Sequence, residues 1–538
     1  MARNLAPKFS TFSKITPAVR EILHEIHHTP VKIPNIMAMD NPVININKQV
    51  SAYDNKRHIA EYQYVDKVSL TRYFNNYEKG KETWRKYTSD QRGDIFLHAA
   101  DLIENKYRDR MLAYTIAGQN KSIYEAEIDA ICELCDFLRF NVDYYNQILD
   151  KQPRQSTGND IVNVSQYNAL PGFIAAITPF NFTAIGGNLA SAPLLFGNSV
   201  LWKPSDNAVL SNYLFYEIML EAGLPRGILN FCPMSPNSFF KEVNKSNDLS
   251  AVLFTGSSMV FNDIYYQIGK NILDRNNYTR LIGETGGKNF HFADDTFSRP
   301  EDLKFLAEET VNSAFGYSGQ KCSACSILYI PEENLQPFIT FLKNETARFI
   351  YNSENYGVVN YKSYRRIEDI LSILKSDPDI SFVDHQADDE SNNKDQTYYI
   401  SPNILICRDH NHRVFSEEFF APILTIYPYS KESLDETLKL CKNTNNYALT
   451  GSVFSKNYNK VNRISDFLME KTGNFYVNCR STGSVVGNQP FGGSGKSGTN
   501  DKAGSASNLM RWVSQRTIKE TFVPPDNYSY PFLEDEEN

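Results

Sequence analysis

The sequence has few of the features that mark membrane, secreted or nucleic-acid-binding proteins. No run approaches the ~20 apolar residues of a membrane-spanning helix, because the most apolar stretch, "PGFIAAITPFNFTAIGG", is interrupted by proline, glycine and asparagine. A net charge of −8 with mixed signs provides no basic surface for nucleic acid. Eight cysteines in 538 residues are too few for a disulfide scaffold and favour a reducing compartment. We therefore expect a soluble protein with neither nucleic-acid nor membrane partners.

The first twenty residues contain basic and hydroxyl side chains but no acidic one. Arg3, Lys8, Lys14 and Arg20 precede the first carboxylate, Glu21. This composition predicts a mitochondrial presequence, and hence a location in the mitochondrial matrix. An ordinary basic tail on a cytoplasmic protein is the alternative.

From residue 173 onward, short apolar strands alternate with helices. Such alternation with short links predicts an α/β protein with a parallel sheet covered on both faces. Ligands of these sheets bind beyond the carboxyl ends of the strands. Asn181, Lys203 and Gly256 all follow predicted strands at such ends. A second alternating series begins near residue 289 and predicts a second sheet.

The stretch "GYSGQKCSAC", residues 316–325, contains two cysteines behind a glycine-bearing segment. They could be half of a metal site, a redox pair, buried core thiols, or one nucleophile and a neighbour. A second pair, Cys132 and Cys135, lies on apolar positions of a predicted helix, far from Cys322 in sequence. That distance disfavours a shared four-thiolate zinc site, so we expect no metal. Cys325 is expected to be a packed neighbour, with resolving-thiol chemistry as the minor alternative.

A nucleophilic thiolate at Cys322 would need partners, and the sequence offers candidates. Attack on an aldehyde gives a thiohemiacetal, which can lose hydride to a nicotinamide and leave a thioester. Asn181, in "TPFNF", could donate to the oxyanion together with the Cys322 backbone N–H. Glu284, in "GETGGKN", could activate the hydrolytic water. Each residue alone also fits a structural role, such as a turn asparagine.

A nucleotide site is suggested at two strand ends. Lys203 ends a strand where a ribose or phosphate could lie, although a solvated surface lysine is the plainer interpretation. Gly256 and Ser257, in "FTGSS", precede a helix whose amides favour a pyrophosphate, although they could form a plain helix cap. The glycine fingerprint GxGxxG is absent at this position.

The order of these motifs resembles the aldehyde dehydrogenase superfamily over roughly residues 40–525. The matching blocks are "TPFNF", "NLASAPLLFGNSVLWKPS", "EAGLPRGILNF", "LFTGSS", "GETGGKN", "GQKCSA", "SEEFFAPIL", "YALTGSVF" and "QPFGGSGKSGTND". Further details, including "GETGGKNFHF", "GQKCSACS" and "STGSVVG", resemble the delta-1-pyrroline-5-carboxylate dehydrogenase branch.

The resemblance implies a role for each matching residue. Cys322 would be the nucleophile, Glu284 the general base and Asn181 the oxyanion donor. The residues implied to bind NAD are Thr178, Phe180, Lys203, Gly256, Ser257, Gly283, Thr285, Glu418 and Phe420. Those implied to hold the substrate carboxylate are Ser323, Gly483 and Ser484; a Gly/Ser loop also makes physical sense as an anion site, since it offers amides and hydroxyls.

Two departures from the superfamily pattern concern the cofactor. Phe261 stands where most members have a glycine, and the branch shares this loss. Ser205 follows "KP" in place of the glutamate that often holds the adenine ribose. The lack of a carboxylate there weakens any expectation of strict preference for NAD over NADP.

The implied architecture has two Rossmann-like domains and a small β arm that joins subunits into a homodimer or larger assembly. Residues 1–35 would form a tail or presequence, 36–153 with 170–285 the NAD domain, 286–495 the catalytic domain, and 154–169 with 496–538 the arm and tail.

The implied reaction is NAD-dependent oxidation of L-glutamate 5-semialdehyde to L-glutamate, the second step of proline breakdown. The rivals are an aldehyde dehydrogenase with a different substrate and a non-catalytic protein that kept the fold.

Overall fold

The computed structural model describes residues 4–5, 15–37, 46–155, 161–352, 357–384 and 397–523. Two parallel β-sheets organise this part of the chain, each covered by helices on both faces. The predicted α/β class with two parallel-sheet units is confirmed. Among the described residues, no helix combines the length and apolar character needed to cross a bilayer.

The first sheet has five parallel strands, and its residues alternate between two cores. In spatial order the strands are Leu229–Phe231, Ser199–Lys203, Phe173–Ile177, Leu249–Thr255 and Arg280–Glu284. Ile174 and Ala176 face one core while Phe173 and Ala175 face the other, as the period of two in a strand requires. The covering helices are Lys67–Arg85, Thr183–Ser191, Val209–Glu221, Pro236–Val243 and Ser258–Lys270.

A helical layer precedes this sheet. Its helices are Pro17–His28, Ser89–Glu104, Arg108–Gln119, Ile123–Ala126 and Leu134–Leu149, with a π-helical segment at Glu127–Glu133. A three-stranded sheet of Val31–Lys32, Asn47–Val50 and His58–Tyr62 lies beside it.

The prediction of a tail over residues 1–35 is wrong for its second half. Pro17–His28 form a helix capped by the Thr16 side chain, and Val19, Leu23 and Ile26 are buried in the largest core. The basic composition of the first twenty residues concealed this apolar face, which repeats at three and four residues. Residues 1–3 and 6–14 lie outside the described part of the chain.

The second sheet has seven strands. In spatial order they are Ile380–Phe382, Asn403–Cys407, Ile423–Tyr429, Cys325–Pro331, Asn289–Ala293, Thr450–Phe454 and Asn474–Val477, and only the first pair is antiparallel. The helices around it are Pro300–Phe315, Glu332–Asn352, Tyr361–Lys375, Leu434–Asn443 and Tyr458–Phe467.

A two-stranded ribbon projects from the first sheet. Ile161–Ala169 and Val513–Thr521 pair antiparallel along their whole length, from Val513 opposite Ala169 to Thr521 opposite Ile161. The segment before the second strand does not belong to the ribbon. Thr285 N–H donates to Ser497 O over 2.9 Å, and Thr499 N–H donates to Gly283 O over 2.9 Å. Residues 496–512, which the sequence assigned to the arm, therefore pack on the end of the first sheet; this segment includes the short helix Ala506–Leu509.

Candidate active site

Cys322 and Glu284 meet at the junction of the two sheets. Glu284 ends the strand Arg280–Glu284, and Cys322 lies in the loop between the helix Pro300–Phe315 and the strand Cys325–Pro331. The Cys322 Sγ lies 3.6 Å from Glu284 Oε1, within the reach of an S–H···O contact. Both line one cavity of about 360 Å³. The fold thus brings the predicted nucleophile and base together.

The loop before Cys322 has an unusual backbone. Tyr317, Ser318 and Gly319 have φ values of 54°, 52° and 68°, three successive residues in the left-handed region. At Gly319 a Cβ atom would lie 2.2 Å from Ala421 O, so only glycine fits. Left-handed conformations of other residues are strained and concentrate at functional sites.

Asn289 holds the Cys322 loop from the second sheet. Its amide nitrogen donates to Cys322 O over 2.7 Å and to Ala324 O over 2.9 Å. Its amide oxygen accepts from Thr450 N over 3.1 Å. All of its side-chain hydrogen-bonding groups are engaged, so it fixes the nucleophile against the strand. The sequence did not single out Asn289, because nothing in its local pattern distinguishes it from a turn residue.

Burial raises the pKa values of both the Cys322 thiol and the Glu284 carboxyl. The pKa of Cys322 is raised well above its usual value by burial, and by the nearby carboxylates Glu284 and Glu418. Burial raises the pKa of Glu284 to about 7, against the opposing effects of its bond with Cys322 and of the Lys502 ammonium. A thiol beside a carboxyl that titrates near neutrality can pass its proton to it.

The two sulfurs of "GYSGQKCSAC" face different surroundings. Cys325 is 1% exposed, and its Sγ lies 3.3 Å from Ile327 O on its own strand. Burial raises its thiol pKa to about 12. Cys322 is partly exposed and lines the cavity. The arrangement fits one reactive sulfur and one packed neighbour.

Asn181 lies against the same loop. It is 5% exposed, and its amide nitrogen donates to Gln320 O over 3.1 Å. An amide nitrogen carries two N–H groups, and this bond uses one of them. Gln320 in turn accepts from Val359 N through its side chain. Asn181 is thus fixed beside the residues leading to Cys322, and its role as oxyanion donor remains a prediction.

The predicted nucleotide residues on the first sheet lie at the carboxyl ends of its strands. Gly256 N–H donates to Glu284 O over 3.1 Å, which joins two neighbouring strand ends. Ser257 caps the helix Ser258–Lys270 by accepting from Val260 N. Lys203 is 3% exposed, which contradicts the surface-lysine interpretation, and its ammonium makes no hydrogen bond or ion pair with any described residue. A buried cation and a helix N-terminus at a strand edge fit an anionic dinucleotide.

Phe261 occupies space above the strand that ends in Glu284. Its ring stacks on Phe254 with centroids 5.5 Å apart, and a Cβ atom on Gly283 would lie 2.1 Å from its Cζ. With the Phe261 ring in this place, only glycine fits at position 283. Trp202 supports the neighbouring strand end by donating to the Thr178 hydroxyl over 2.9 Å.

Glu418 and Phe420 approach from the second sheet. Glu418 accepts from Gly287 N over 2.8 Å, and burial raises its pKa to about 7. Phe420 has φ 50°, and its ring lies edge-on to Phe180 with centroids 6.2 Å apart. The predicted nucleotide residues of the two sheets therefore approach one another, as a dinucleotide site between domains requires.

The carboxylate of Asp206, one residue after Ser205, lies near Lys203. Asp206 accepts from the Tyr64 hydroxyl over 2.8 Å through one oxygen. Its other oxygen is buried and has no partner among the described residues. The Asp206 charge acts on Lys203. The expectation of weak discrimination, which relied on Ser205 in place of a glutamate, remains a prediction.

The predicted carboxylate-binding residues lie in the same cavity as Cys322. Ser323, Gly483 and Ser484 all line it, and Gly483 has φ 88°. Arg480 and Thr482 line it beside them. The cavity wall near Cys322 thus combines hydroxyl and amide groups with one guanidinium.

Glu133 is a cavity residue that sequence reasoning missed. It belongs to the π-helical segment Glu127–Glu133 and lines the cavity that contains Cys322. Burial raises its pKa to about 8, with Asp129 adding to the rise and Lys121 opposing it. Short π-helical turns often occur at functional sites. No sequence signal reveals one, because the residues read as a continuous amphipathic helix.

A buried ion pair supports this wall of the cavity. Lys121 Nζ lies 2.7 Å from Asp129 Oδ2, with both side chains almost fully buried. Asp129 also accepts from the amides of Thr183 and Ala184 and so caps the helix Thr183–Ser191. The Lys121 ammonium lies 3.9 Å from the centroid of the Phe182 ring, which lines the cavity. Asp129 thus joins its π-helical segment to the helix Thr183–Ser191, and Lys121 contacts both Asp129 and the Phe182 ring.

The second cysteine pair shows no metal-binding arrangement. Cys132 and Cys135 are buried in the core, and burial raises the pKa of Cys132 to about 12. Within the described ranges, no group of three or more histidine, cysteine or carboxylate side chains could hold a metal ion.

Comparisons with known proteins agree with this geometry. The aldehyde dehydrogenase family profile matches residues 45–518. The mitochondrial delta-1-pyrroline-5-carboxylate dehydrogenase of Dictyostelium discoideum is 39% identical over 530 residues, which cover 97% of this chain and 93% of that protein. The human protein of the same name is 39% identical over 497 residues, covering 91% and 86%. The NAD-bound crystal structure of the Mycobacterium tuberculosis delta-pyrroline-5-carboxylate dehydrogenase superposes with a TM-score of 0.89 at 33% identity, covering 99% of this chain and 98% of that one. The chain therefore belongs to the aldehyde dehydrogenase family of oxidoreductases.

Proposed function

We propose that this protein oxidises L-glutamate 5-semialdehyde, the open form of 1-pyrroline-5-carboxylate, to L-glutamate with NAD⁺ and water. The observation that carries the proposal is the 3.6 Å approach of Cys322 Sγ to Glu284 Oε1 in a cavity that also contains Ser323, Gly483 and Ser484. The names of the relatives from Dictyostelium discoideum and Homo sapiens support the same substrate. The reaction would be the second step of proline breakdown.

The mechanism begins with proton transfer from Cys322. Glu284 accepts the thiol proton, and the thiolate forms a bond to the aldehyde carbon, giving a thiohemiacetal oxyanion. Asn181 and the Cys322 backbone N–H donate to that oxygen. The nicotinamide supplies the hydride acceptor when NAD⁺ is bound.

The second half of the reaction releases the product. Loss of hydride leaves a thioester on Cys322. Glu284 releases the thiol proton to solvent and then removes a proton from the attacking water. The C–S bond breaks, the sulfur leaves as the thiolate, and the carboxylate product departs. Overall the semialdehyde, NAD⁺ and water give L-glutamate, NADH and two protons. One carboxyl with a pKa near neutrality can serve both steps, because it is readily ionised and reprotonated at neutral pH.

NAD⁺ is the cofactor that the strand ends and the second-sheet loop best fit. The proposed contacts are Thr178, Phe180, Lys203, Gly256, Ser257, Gly283 and Thr285 on one side and Glu418 and Phe420 on the other. Support comes from the burial of Lys203 without an ionic partner among described residues and from the NAD-bound relative of Mycobacterium tuberculosis. Residues 36–153 with 170–285 would form the NAD domain and 286–495 the catalytic domain.

Recognition of an amino acid semialdehyde needs a site for each of its charges. Ser323, Gly483 and Ser484 would hold the carboxylate through amides and hydroxyls. Glu133 would meet the ammonium group. Its pKa of about 8 reflects a buried carboxyl with incomplete charge compensation, which a cationic ligand would supply.

The proposed location rests on the N-terminal composition, and the proposed assembly on the two-stranded ribbon. The basic, acid-poor first twenty residues and the mitochondrial relatives support a matrix location. Removal of a presequence within residues 1–14 would leave the helix Pro17–His28 intact. The ribbon of Ile161–Ala169 and Val513–Thr521 would join subunits into a homodimer or larger assembly.

The test is NADH formation from 1-pyrroline-5-carboxylate by the wild type, Cys322→Ala and Cys325→Ala. Loss of the nucleophile should reduce turnover by at least about 10³-fold, whereas Cys325→Ala, which removes a sulfur facing the strand, should keep turnover within a few fold. Undiminished turnover by folded Cys322→Ala would refute the mechanism. A strong preference of the wild type for an unsubstituted aldehyde of similar length would refute the substrate, and absence of NADH formation from any aldehyde would leave the non-catalytic alternative.

A further inference from the structure

His291 is a fully buried histidine that the proposed chemistry does not use. It lies on the interior strand Asn289–Ala293 of the second sheet and is 0% exposed. Its Nδ1 lies 2.9 Å from the Thr310 hydroxyl, and its Nε2 accepts from the backbone N–H of Ser481 over 3.2 Å. Because Nε2 accepts, the neutral ring carries its proton on Nδ1 and donates it to Thr310. Both ring nitrogens are therefore engaged.

The residue that His291 holds begins the loop that lines the cavity. Ser481 is directly followed by Thr482, Gly483 and Ser484, which face the cavity containing Cys322. Ser481 is 0% exposed, so its N–H has no water as an alternative partner. Without an acceptor at Nε2, this buried amide would be left unsatisfied, which destabilises the loop in its present position.

A chain of hydroxyl groups joins the same loop to the residue after the nucleophile. The Ser481 hydroxyl donates to Ser323 O over 3.2 Å, and the Ser313 and Ser481 hydroxyls lie 3.1 Å apart. Ser313 Oγ also accepts from Cys325 N over 3.3 Å. The directions agree along the chain, with Ser313 donating to Ser481 and Ser481 donating to Ser323. Ser481 thus sets the distance between Ser323 and the Gly483–Ser484 turn.

Cys322 has a support of its own apart from the His291–Ser481 contact, although Ser323, the residue after it, belongs to the hydroxyl chain. Asn289 donates to Cys322 O over 2.7 Å and does not contact Ser481 in any hydrogen bond of the described residues. Loss of the His291 acceptor should therefore move the carboxylate-binding loop while leaving Cys322 beside Glu284.

We propose that His291 is a positioning residue for substrate recognition, acting as a neutral acceptor that fixes Ser481 and with it the loop binding the substrate carboxylate. The proposal rests on the proposed function, since it assigns a support to that carboxylate site. Burial lowers the pKa of His291 to about 3, so the ring stays neutral and keeps its Nε2 lone pair throughout the working pH range.

Two substitutions test the roles of the two ring nitrogens separately. His291→Asn places its amide near the position of Nδ1, so it retains a partner for Thr310 and loses the acceptor for Ser481. His291→Gln places an amide oxygen near the position of Nε2 and restores that acceptor. The assay measures kcat and KM for 1-pyrroline-5-carboxylate, for butanal, which lacks both the carboxylate and the ammonium group, and for 5-oxopentanoate, which keeps the carboxylate and lacks the ammonium group. Loss through the carboxylate loop should raise KM for 5-oxopentanoate as well.

His291→Asn should raise KM for 1-pyrroline-5-carboxylate at least tenfold with kcat within threefold, and should leave kcat/KM for butanal within twofold. His291→Gln should restore the first KM to within threefold of the wild type. Equal losses on 1-pyrroline-5-carboxylate and butanal, or a Gln variant as impaired as the Asn variant, would show a general structural role and overturn the proposal.

Ser481→Ala gives a second measurement if His291→Asn does not fold. It keeps the backbone N–H but removes the hydroxyl bond to Ser323, and it should also raise KM selectively for the carboxylate substrate. An unchanged KM would overturn the proposal. A wild type that oxidises butanal but not 1-pyrroline-5-carboxylate would instead refute the proposed function, and the carboxylate-loop assignment with it.

Discussion

Glu284 illustrates how one side chain gains a function from its surroundings. The sequence places it among glycines, but its pKa depends on groups from distant segments. Burial raises that pKa to about 7, while the Cys322 contact and the Lys502 ammonium oppose the rise, and Glu133 is a further buried carboxyl whose charge interacts with it. Glu284 therefore titrates near neutrality, while the pKa of the neighbouring Cys322 thiol is raised well above its usual value.

This predicts a characteristic acid limb in the pH dependence of turnover. Only ionised Glu284 can accept a proton, so kcat/KM should be half-maximal near pH 7 and fall about tenfold per unit at more acidic pH. Glu284→Gln should lower kcat by about 10²–10⁴-fold and remove this limb. The measurement is NADH formation between pH 5.5 and 9. A Gln variant that retained both the limb and the wild-type rate would contradict the role of Glu284.

At the scale of elements, the helix Pro17–His28 shows that the first part of the chain contributes to the fold. The Thr16 side chain caps it, Pro17 occupies its first turn, and one face is buried against the largest core. A helix of twelve residues is marginal by itself in water, so packing must supply most of its stability.

Truncation of Leu23 tests this contribution. Leu23 is 5% exposed, and Leu23→Ala should cost about 2–4 kcal/mol in the stability of the docked helix. The exposed Glu21 provides the matched control, since Glu21→Ala should change stability by no more than about 0.5 kcal/mol. Urea-dependent proteolysis near the N-terminus, compared among the full-length proteins, measures the difference. Equal protease resistance of the two variants would show that this helix does not dock in solution.

At the scale of the whole molecule, the two-stranded ribbon makes few contacts with the rest of its own chain beyond its base. A two-stranded ribbon is marginally stable by itself in water. The side chains of Gln152 and Gln155 exchange hydrogen bonds with the backbone of Ser165 and Asn163, which pairs part of one outer edge. Val164, Phe522 and Val523 are exposed on it or at its end. The base is well held, because Arg280 donates to Arg511 O and Val513 O over 2.6 and 3.0 Å.

Removal of one ribbon strand should therefore dissociate the assembly. A chain ending at Ser514 keeps the Arg280 contacts but loses the partner of Ile161–Ala169, and light scattering after gel filtration should give a monomer. A chain ending at Val523 keeps both strands and should retain the wild-type mass of a dimer or larger assembly. The same mass for both truncated chains would exclude the ribbon as the subunit contact.

The sequence by itself determined the features that depend on neighbouring residues. The strands around 173–177, 199–203 and 249–255 follow from short apolar runs, and their polar ends follow from the chain direction of a parallel sheet. The motif blocks were sufficient to single out Cys322, Glu284 and Asn181, which the fold then brought into the same region.

The tertiary structure decided which groups face one another. Glu133, Asn289 and His291 lie in ordinary-looking helix or strand patterns, and only packing directs them toward the cavity or its supports. The helix Pro17–His28 was obscured because a basic composition says nothing about a buried apolar face. Local sequence sets backbone conformation through short-range sterics and periodicity. Burial, pKa values and long-range hydrogen bonds arise only when segments far apart in the chain exclude water from the same place.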